Sequence, residues 1–506
     1  MVEEDNHFLL EDEKNLSDPL KLKLEKIKKY RKENKNLYNI DFKPDVEISS
    51  LKDKYEGIET GEKIEESFKV AGRIIIFRKH GKATFCDIQD FSGKLQLYLS
   101  LKEVGEEAYQ YFNDLDIGDW VGVEGTVFKT RTGELTLKVK DFKLLSKSIR
   151  VLPEKWHGLK DKELRYRQRY LDFIVNPDVK EIFIKRIKII DKIRDFLKGK
   201  GFLEVETPML QIIPWGATAK PFITHHNALD IDLYLRIAPE LYLKRLIIGG
   251  FSKVFEVNRN FRNEGISYKH NPEFTMVEFY QAFANYNDLM HLTEKLIKYV
   301  AGEAIDKTEI EYKGNNINLS GSWKKISMLD SIKEFGGITV SFDMDREQLT
   351  NIAKDLGIEI EKSFGKGKII NEIFEAVVEP KLIQPIFIKD FPLEISPLAR
   401  KHPENKNLVE RFELFIGGEE IANAFSELID PSEQLKRFKK QAKSADEEER
   451  LAGLVDEDFI KALEYGMPPT GGEGIGIDRL VMVLTGSESI KDILLFPLMK
   501  PEGNLQ

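Results

Sequence analysis

One cysteine in 506 residues, Cys86, leaves this chain no intramolecular disulfide framework and no CxxC metal site. No run of eighteen apolar residues occurs, so no membrane-spanning helix is expected. The opening stretch, MVEEDNHFLLEDEKN, is acidic and has no apolar signal-peptide core. A cytoplasmic protein is the expectation. A basic surplus is missing too: 77 Lys and Arg against 86 Asp and Glu leave a net charge of −9, which argues against a protein coated for nucleic acid. No internal repeat is seen.

What remains is ordinary for a soluble globular chain, 41% hydrophobic and 32% charged, and long enough for two or three domains. The average hides local texture. Residues 21–35, KLKLEKIKKYRKENK, carry eight basic residues against two Glu, a local +6. Leu20, Leu24, Ile27 and Tyr30 fall at helical spacing there. A solvated helix face explains such a run, and so does an arm beside a nucleic-acid module. Residues 1–60 thus read as an acidic tail and a basic helix. Over 61–150 short alternating runs such as ATFCDIQD and KLQLYLSL, broken by Gly, Asp and Lys turns, predict a small β-barrel of the OB type.

A polar linker is expected over 151–177 and a larger domain over 178–506. That domain opens with a helix started by an Asp178/Glu181 capping box, striped by Ile182, Phe183, Ile190, Ile193 and Leu197, and ended by Gly199 and Gly201. Strands and helices then mix without βαβ regularity, which predicts α+β around an antiparallel sheet, with a helical insertion near 325–385. The run 436–450 is expected as an exposed helix surface.

The stretch FRNEGISYKHNPEFTMVEFY, 261–280, sets charges among aromatics. Two strands, 258–264 and 272–281, would place Asn260, Arg262 and Glu264 on one face of the first and Phe274, Met276, Glu278 and Tyr280 on one face of the second, the same side if the hairpin pairs normally. An internal salt bridge accounts for the charges; so does an anionic ligand gripped by Arg262. Glu413 and Glu420, seven residues apart, suit a divalent cation shared with phosphate, or an amphipathic surface strand. TGGEGIGIDRL, 470–480, reads as a glycine-rich turn into a helix, with Arg479 fit for a phosphate. Arg236 and Glu240 stand four apart among Leu and Ile, where Glu240 is a ligand group or a cap.

Together these motifs resemble those of the class II aminoacyl-tRNA synthetases. FRNE resembles motif 2, GIGIDR motif 3, and the helix ending in GFLEVETP motif 1. Within the class, RYRQRYLD, RIAPELYLKRL, HNPEFTMVEFY and IANAFSEL are the wording of the lysyl-tRNA synthetases, across residues 66–498. The resemblance implies ligation of L-lysine to the 3′-terminal adenosine of tRNA(Lys) through a lysyl-adenylate. It assigns catalysis to Arg262 and Arg479, and ATP to these with Glu264, His270, Asn271, Phe274 and Glu420. Lysine would meet Gly216, Glu240, Arg262, Glu278, Tyr280, Asn423 and Glu427. More than one Mg²⁺ per subunit is implied, with ATP, on Glu413 and Glu420.

The anticodon would meet Arg78, Phe85, Gln96 and Glu134 on the barrel, although the residues alone favour Phe85 as barrel core. The basic helix would touch the tRNA backbone, and motif 1 would form a homodimer. Trp215, Ala422, Ala424 and Glu473 depart from the family's usual wording around the pocket. A protein-lysylating paralogue is disfavoured by the barrel. A catalytically dead nucleic-acid module is disfavoured by the complete Arg262, Glu413, Glu420 and Arg479 set. An aspartyl or asparaginyl enzyme is disfavoured by a pocket of glutamates.

Overall fold

A computed structural model of the protein describes residues 17–153, 159–213, 219–444 and 455–502. The acidic start, Trp215, Gly216 and the second part of the 436–450 run lie outside the described residues. The chain forms two compact units, Met1–Gly158 and Leu159–Gln506.

In the first unit the alternating runs become strands β1 (Lys63–His80), β2 (Ala83–Gln89), β3 (Lys94–Ser100), β4 (Trp120–Lys129) and β5 (Leu135–Ser146), closed into a barrel in the order β1-β2-β3-β5-β4. A period of two turns Thr84, Cys86 and Ile88 of β2, and Leu95, Leu97 and Leu99 of β3, into a buried core. Phe85 and Gln96 alternate outward, so Phe85 is not core; the barrel's side-chain period overrides its hydrophobicity.

The helix Asp18–Lys32 packs Ile27 and Tyr30 into the same core. Its basic face is partly spent inside the unit. Lys23 Nζ donates to the carbonyls of Ile117 (3.0 Å) and Arg150 (3.3 Å), Lys26 to Asp116 (2.6 Å), and Tyr30 Oη to Asp114 (2.8 Å). Part of the local +6 is therefore engaged by the barrel, Lys26 by Asp116 and Lys23 by neutral carbonyls, while Lys28 and Lys32 stay exposed.

In the second unit, residues expected as linker instead form two short helices, Lys162–Arg167 and Arg169–Val175. Arg169 is fully buried and anchors them by donating to the carbonyls of Lys491 (2.7 Å), Leu494 and Leu495. The helix Val179–Gly199 follows, burying Phe183, Ile189, Ile193 and Leu197. The capping box does not form: Asp178 is itself helical and its side chain caps nothing. Gly201, at φ +81°, ends the segment as glycine alone does without strain.

The strands of this unit are β6 (Leu203–Glu204), β7 (Leu210–Gln211), β8 (Ile223–His226), β9 (Ile231–Leu235), β10 (Lys253–Phe261), β11 (Glu273–Ala282), β12 (Glu309–Tyr312), β13 (Asn315–Asn318), β14 (Lys324–Ser327), β15 (Ile386–Pro392), β16 (Leu408–Ile416), β17 (Glu419–Ser426) and β18 (Thr470–Gly476). Eight of them make one sheet, β14-β15-β16-β17-β18-β11-β10-β6, antiparallel except for the parallel pair at each edge. The helices Tyr286–Val300 and Ile477–Thr485 pack with it into the main core.

Between β14 and β15 the segment is helical, with Arg346–Asp355 and Lys366–Val377 burying Leu349, Ile369, Ile373 and Phe374 against Ile388 and Val409. The helix Pro431–Ser444 is not wholly a surface: Phe438 and Gln434 are fully buried. Among the described residues no helix is long and apolar enough to cross a membrane.

Candidate active site

A cavity of about 430 Å³ lies over β11, β17, β18 and the loop between β10 and β11. The glycine-rich segment 470–476, expected as a turn, is instead a central strand, β18, between β17 and β11. Its glycines leave room rather than turn the chain. A Cβ at Gly472 would overlap the Glu427 carboxylate and the Tyr280 ring, and one at Gly474 would press on Met276.

Arg262 and Glu264, expected inside a strand, lie just beyond β10, in the loop. The ladder stops at Phe261–Glu273, and the Arg262 amide then donates to the Pro272 carbonyl (2.9 Å). Leaving the ladder frees Arg262 to lie over the Phe274 ring, guanidinium carbon 5.0 Å from its centre. The buried Arg262 Nε has no hydrogen-bond partner, and neither has the buried Asn271 Oδ1, whose amide donates to the Glu273 carbonyl (2.6 Å). Orphaned polar atoms facing a cavity are what a bound ligand would satisfy.

Arg479, in the first turn of the helix Ile477–Thr485, donates to the Glu420 carbonyl (2.9 Å) and carboxylate (3.1 Å) and lies 3.4 Å from His270 Nε2. Burial, with Arg479 and Lys269 alongside, pulls the His270 pKa down, so its ring is neutral near pH 7. Asp478 is structural, bound to Arg186 (2.6 Å) and the Thr275 amide (2.8 Å).

Glu413 and Asn423 stand opposite one another on β16 and β17, and a bulge in this pair brings Glu420 opposite Phe415. These are central strands, not an amphipathic surface. Arg411 joins the group, donating to Glu413 (2.5 Å), Asn423 Oδ1 (3.1 Å) and Ser396 Oγ (2.9 Å). Burial pushes the Glu413 pKa up to about 8, with Arg411 opposing and Glu420 adding to the rise. Glu420 lines the cavity; Glu413 lies beside it, outside the lining. A buried carboxylate, Glu413, and a partly exposed one, Glu420, on adjacent strands fit a hard divalent cation that takes its remaining oxygens from phosphate and water.

The cavity lining is also acidic. Glu278 and Tyr280 point in from β11, and Glu240 from the first turn of the helix Glu240–Ile248. Burial drives the Glu278 pKa up to about 8, with Glu240 and Glu256 adding and Arg236 and Arg262 opposing. Tyr280 is raised for the same reasons and stays a phenol. Arg236 is not part of this group; it is buried in an ion pair with Glu256 (2.6 Å). Glu240 is neither a cap nor a surface carboxylate but a buried one.

Glu427 is 2% exposed and sits behind the wall at Gly472 and Tyr280. Lys244, fully buried, joins it to Glu240. Sequence reasoning missed Lys244 and Arg411. Both left a signal: Lys244 follows Glu240 by one helical turn, and Arg411 precedes Glu413 by one strand period.

On the barrel, Phe85 is paired across β1 and β2 with Arg78 and across β3 with Tyr98, ring centres 5.1 Å apart. Arg78 donates to Asp87 (3.1 Å), Asp87 stands opposite Gln96, and Thr136 donates to Gln96 (2.9 Å) and to the Glu134 carbonyl. Arg78, Phe85, Gln96 and Glu134 thus form one connected, half-exposed patch.

Residues 161–500 match the family described as tRNA synthetases class II (D, K and N), and residues 68–145 match the OB-fold nucleic acid binding domain. A lysine–tRNA ligase of Pelotomaculum thermopropionicum is 61% identical over 434 residues, 85% of this chain and 86% of that protein. One from Carboxydothermus hydrogenoformans is 54% identical over 490 residues, covering 97% and 99%. One from Halalkalibacterium halodurans is 50% identical over 493 residues, covering 97% and 98%.

Proposed function

Because this chain belongs to the class II tRNA synthetases, and within them to the lysine–tRNA ligases, we propose that it joins L-lysine to tRNA(Lys) at the cavity over β11, β17 and β18. The observation that carries the reading is the mixed polarity of that cavity, which is lined by Arg262 and Arg479 and by Glu240, Glu278 and Tyr280. Lysine carries a carboxylate at one end and two ammonium groups, and fits that polarity.

In the first step the lysine carboxylate attacks the α-phosphorus of ATP and expels pyrophosphate, giving lysyl-adenylate. The nucleophile is already ionised, so the side chains need only position it and stabilise charge. Arg262 holds the carboxylate and the α-phosphate, and Arg479 the departing phosphates. Phe274, with Arg262 on one face, stacks on adenine by its other face. Glu264 accepts from the adenine amine; His270 and Asn271 border the phosphates. Glu413 and Glu420 would hold Mg²⁺, which when bound would supply positive charge against the negative charge of the triphosphate.

Glu240 and the backbone at Gly216 take the α-ammonium, Asn423 helps with the carboxylate, and Glu278, Tyr280 and Glu427 meet the side-chain ammonium. In the second step a ribose hydroxyl of the terminal adenosine attacks the lysyl carbonyl and releases AMP. An uncharged side chain would leave Glu278 unpaired, which supports selection without an editing site.

The patch at Arg78, Phe85, Gln96 and Glu134 is the proposed anticodon reader, splaying bases onto aromatic rings as OB-folds do. Ile184 (42% exposed) and Ile187 (59%) on the helix Val179–Gly199 leave an apolar stripe that supports a homodimer. The proposed compartment is the cytoplasm. ATP–pyrophosphate exchange with each of the twenty amino acids tests the reading. Exchange that requires lysine and Mg²⁺ is expected; exchange with another amino acid would overturn the pocket assignment.

A further inference from the structure

Lys244 has no role in the two steps above, yet it is a fully buried ammonium in contact with two of the three carboxylates proposed to bind lysine. Its Nζ lies 2.6 Å from Glu240 Oε1 and 2.5 Å from Glu427 Oε2. Such a pair of contacts fixes both carboxylates and uses one oxygen of each. Both Glu427 oxygens are buried without a well-aligned hydrogen bond: Oε2 is held by its ion pair with Lys244, and Oε1 faces the gap that the missing side chain of Gly472 leaves.

The groups around Lys244 are few. Glu240 precedes it by one turn on its own helix. Arg245 turns away to Asp456 and Asp458. Glu427 and the Phe425 ring (5.4 Å) meet it from the β17 side, and the Phe459 ring (6.0 Å) from the helix Glu457–Glu464. Glu278 and Tyr280 of β11 complete the wall. With all three carboxylates ionised, one built-in ammonium leaves two negative charges for a ligand to balance, and free lysine brings two ammonium groups.

We propose that Lys244 is a specificity-determining positioning residue: a built-in cation that holds Glu240 and Glu427 in place and opposes the protonation of Glu427, so that the pocket is neutralised by a ligand with two ammonium groups and left unbalanced by one with a single ammonium. This rests on the lysine-ligase reading. Burial alone would neutralise Lys244, but the two facing carboxylates more than offset it and hold its pKa above the ordinary value; Glu427 is pushed up by burial and pulled back by Lys244. Without Lys244, the buried carboxylates would take up a proton, which lysine must then displace.

The test compares wild type with Lys244→Met, which keeps length and loses charge, and Lys244→Arg, which keeps charge. Lysine-dependent exchange by the wild type is the premise; without it both the parent reading and this one fall. Given that exchange, Lys244→Met is expected to raise the lysine KM about tenfold or more while the ATP KM stays within about twofold. Its preference for lysine over L-norleucine, of equal length but without the ammonium, should narrow by a similar factor. Calorimetry at pH 7 in buffers of different ionisation enthalpy should show about one more proton released per lysine bound than in the wild type.

Lys244→Arg should release the wild-type number of protons, and that count decides the matter if the methionine variant does not fold. An arginine variant that releases an extra proton would overturn the proposal. So would a methionine variant with unchanged lysine KM, norleucine ratio and proton count, whatever its melting temperature, since that pattern is purely structural.

Discussion

The two ligand-facing regions of this chain use charge in opposite ways. On the barrel, Arg78, Gln96 and Glu134 surround an outward Phe85, half-exposed, and Arg78 is already satisfied by Asp87. Around the cavity, Glu278 and the neighbouring Glu413 are almost wholly buried and Arg262 is half-buried, and burial has moved the pKa of each away from its ordinary value. Water screens the first set, so each contact is worth little and recognition must be spread over several side chains and ring faces. Water is excluded from the second, so one unmatched charge decides whether a ligand fits.

The comparison can be broken from the cavity side first. Arg262→Ala removes the guanidinium over Phe274 and should lower the rate of pyrophosphate exchange about a thousandfold, with the fold intact by circular dichroism. A loss below tenfold would mean that Arg262 is only a structural partner of Phe274.

Glu278→Gln should raise the lysine KM about a hundredfold, the scale of one lost buried charge contact, and leave the ATP KM near the wild-type value. The same residue sets a pH dependence. Its folded pKa, about 8, lies above the ordinary carboxylate value, so it contributes stability that is full below the ordinary value and lost as pH rises towards 8. Lysine requires the ionised form. The rise in melting temperature on adding lysine should therefore grow with pH up to about 8 and then level off. A lysine effect that shrinks over that range would reverse the assignment.

On the barrel, Phe85→Ala should raise the tRNA KM about tenfold and leave lysine-dependent exchange untouched, because a stacked base is worth about 1–3 kcal/mol. The smallest effect is expected from neutralising Lys28 and Lys32 together. Lys23 and Lys26 are engaged by the barrel, so only the outward lysines are left to meet phosphate. The double variant should weaken tRNA binding a few-fold and flatten its dependence on log salt by about two at most. A large loss would show that the helix, not the aromatic patch, carries the anticodon end.

Much of this was legible in the residues. The period of two in ATFCDIQD and KLQLYLSL wrote the barrel, and the apolar stripe from Phe183 to Leu197 wrote the long helix. Arg262, Glu420 and Arg479 were singled out by the wording of their motifs, and all three line one cavity. Several readings failed for one reason, that local pattern does not specify partners. Asp178 and Glu181 have capping-box spacing, yet the Asp178 backbone is helical and the box does not close. TGGEGIGID has turn composition but pairs on both sides as a central strand, because glycine is what the crowding of Glu427 and Tyr280 permits. Residues 162–175 look like a polar linker until Arg169 is seen buried among C-terminal carbonyls more than 320 residues away.

By itself, then, the sequence determined the two units, the periodicity of their elements and the inventory of charged groups that a lysine–tRNA ligase needs, since each is carried by spacing along the chain. Only the tertiary structure decided which charges remain available. Lys23 and Lys26 are taken by the barrel, Arg236 by Glu256, Arg169 by backbone carbonyls, and Lys244 by two carboxylates of the pocket. The physical reason is that a charge is defined by its nearest opposite in a medium of low dielectric, and those neighbours come from strands and helices far apart in the chain.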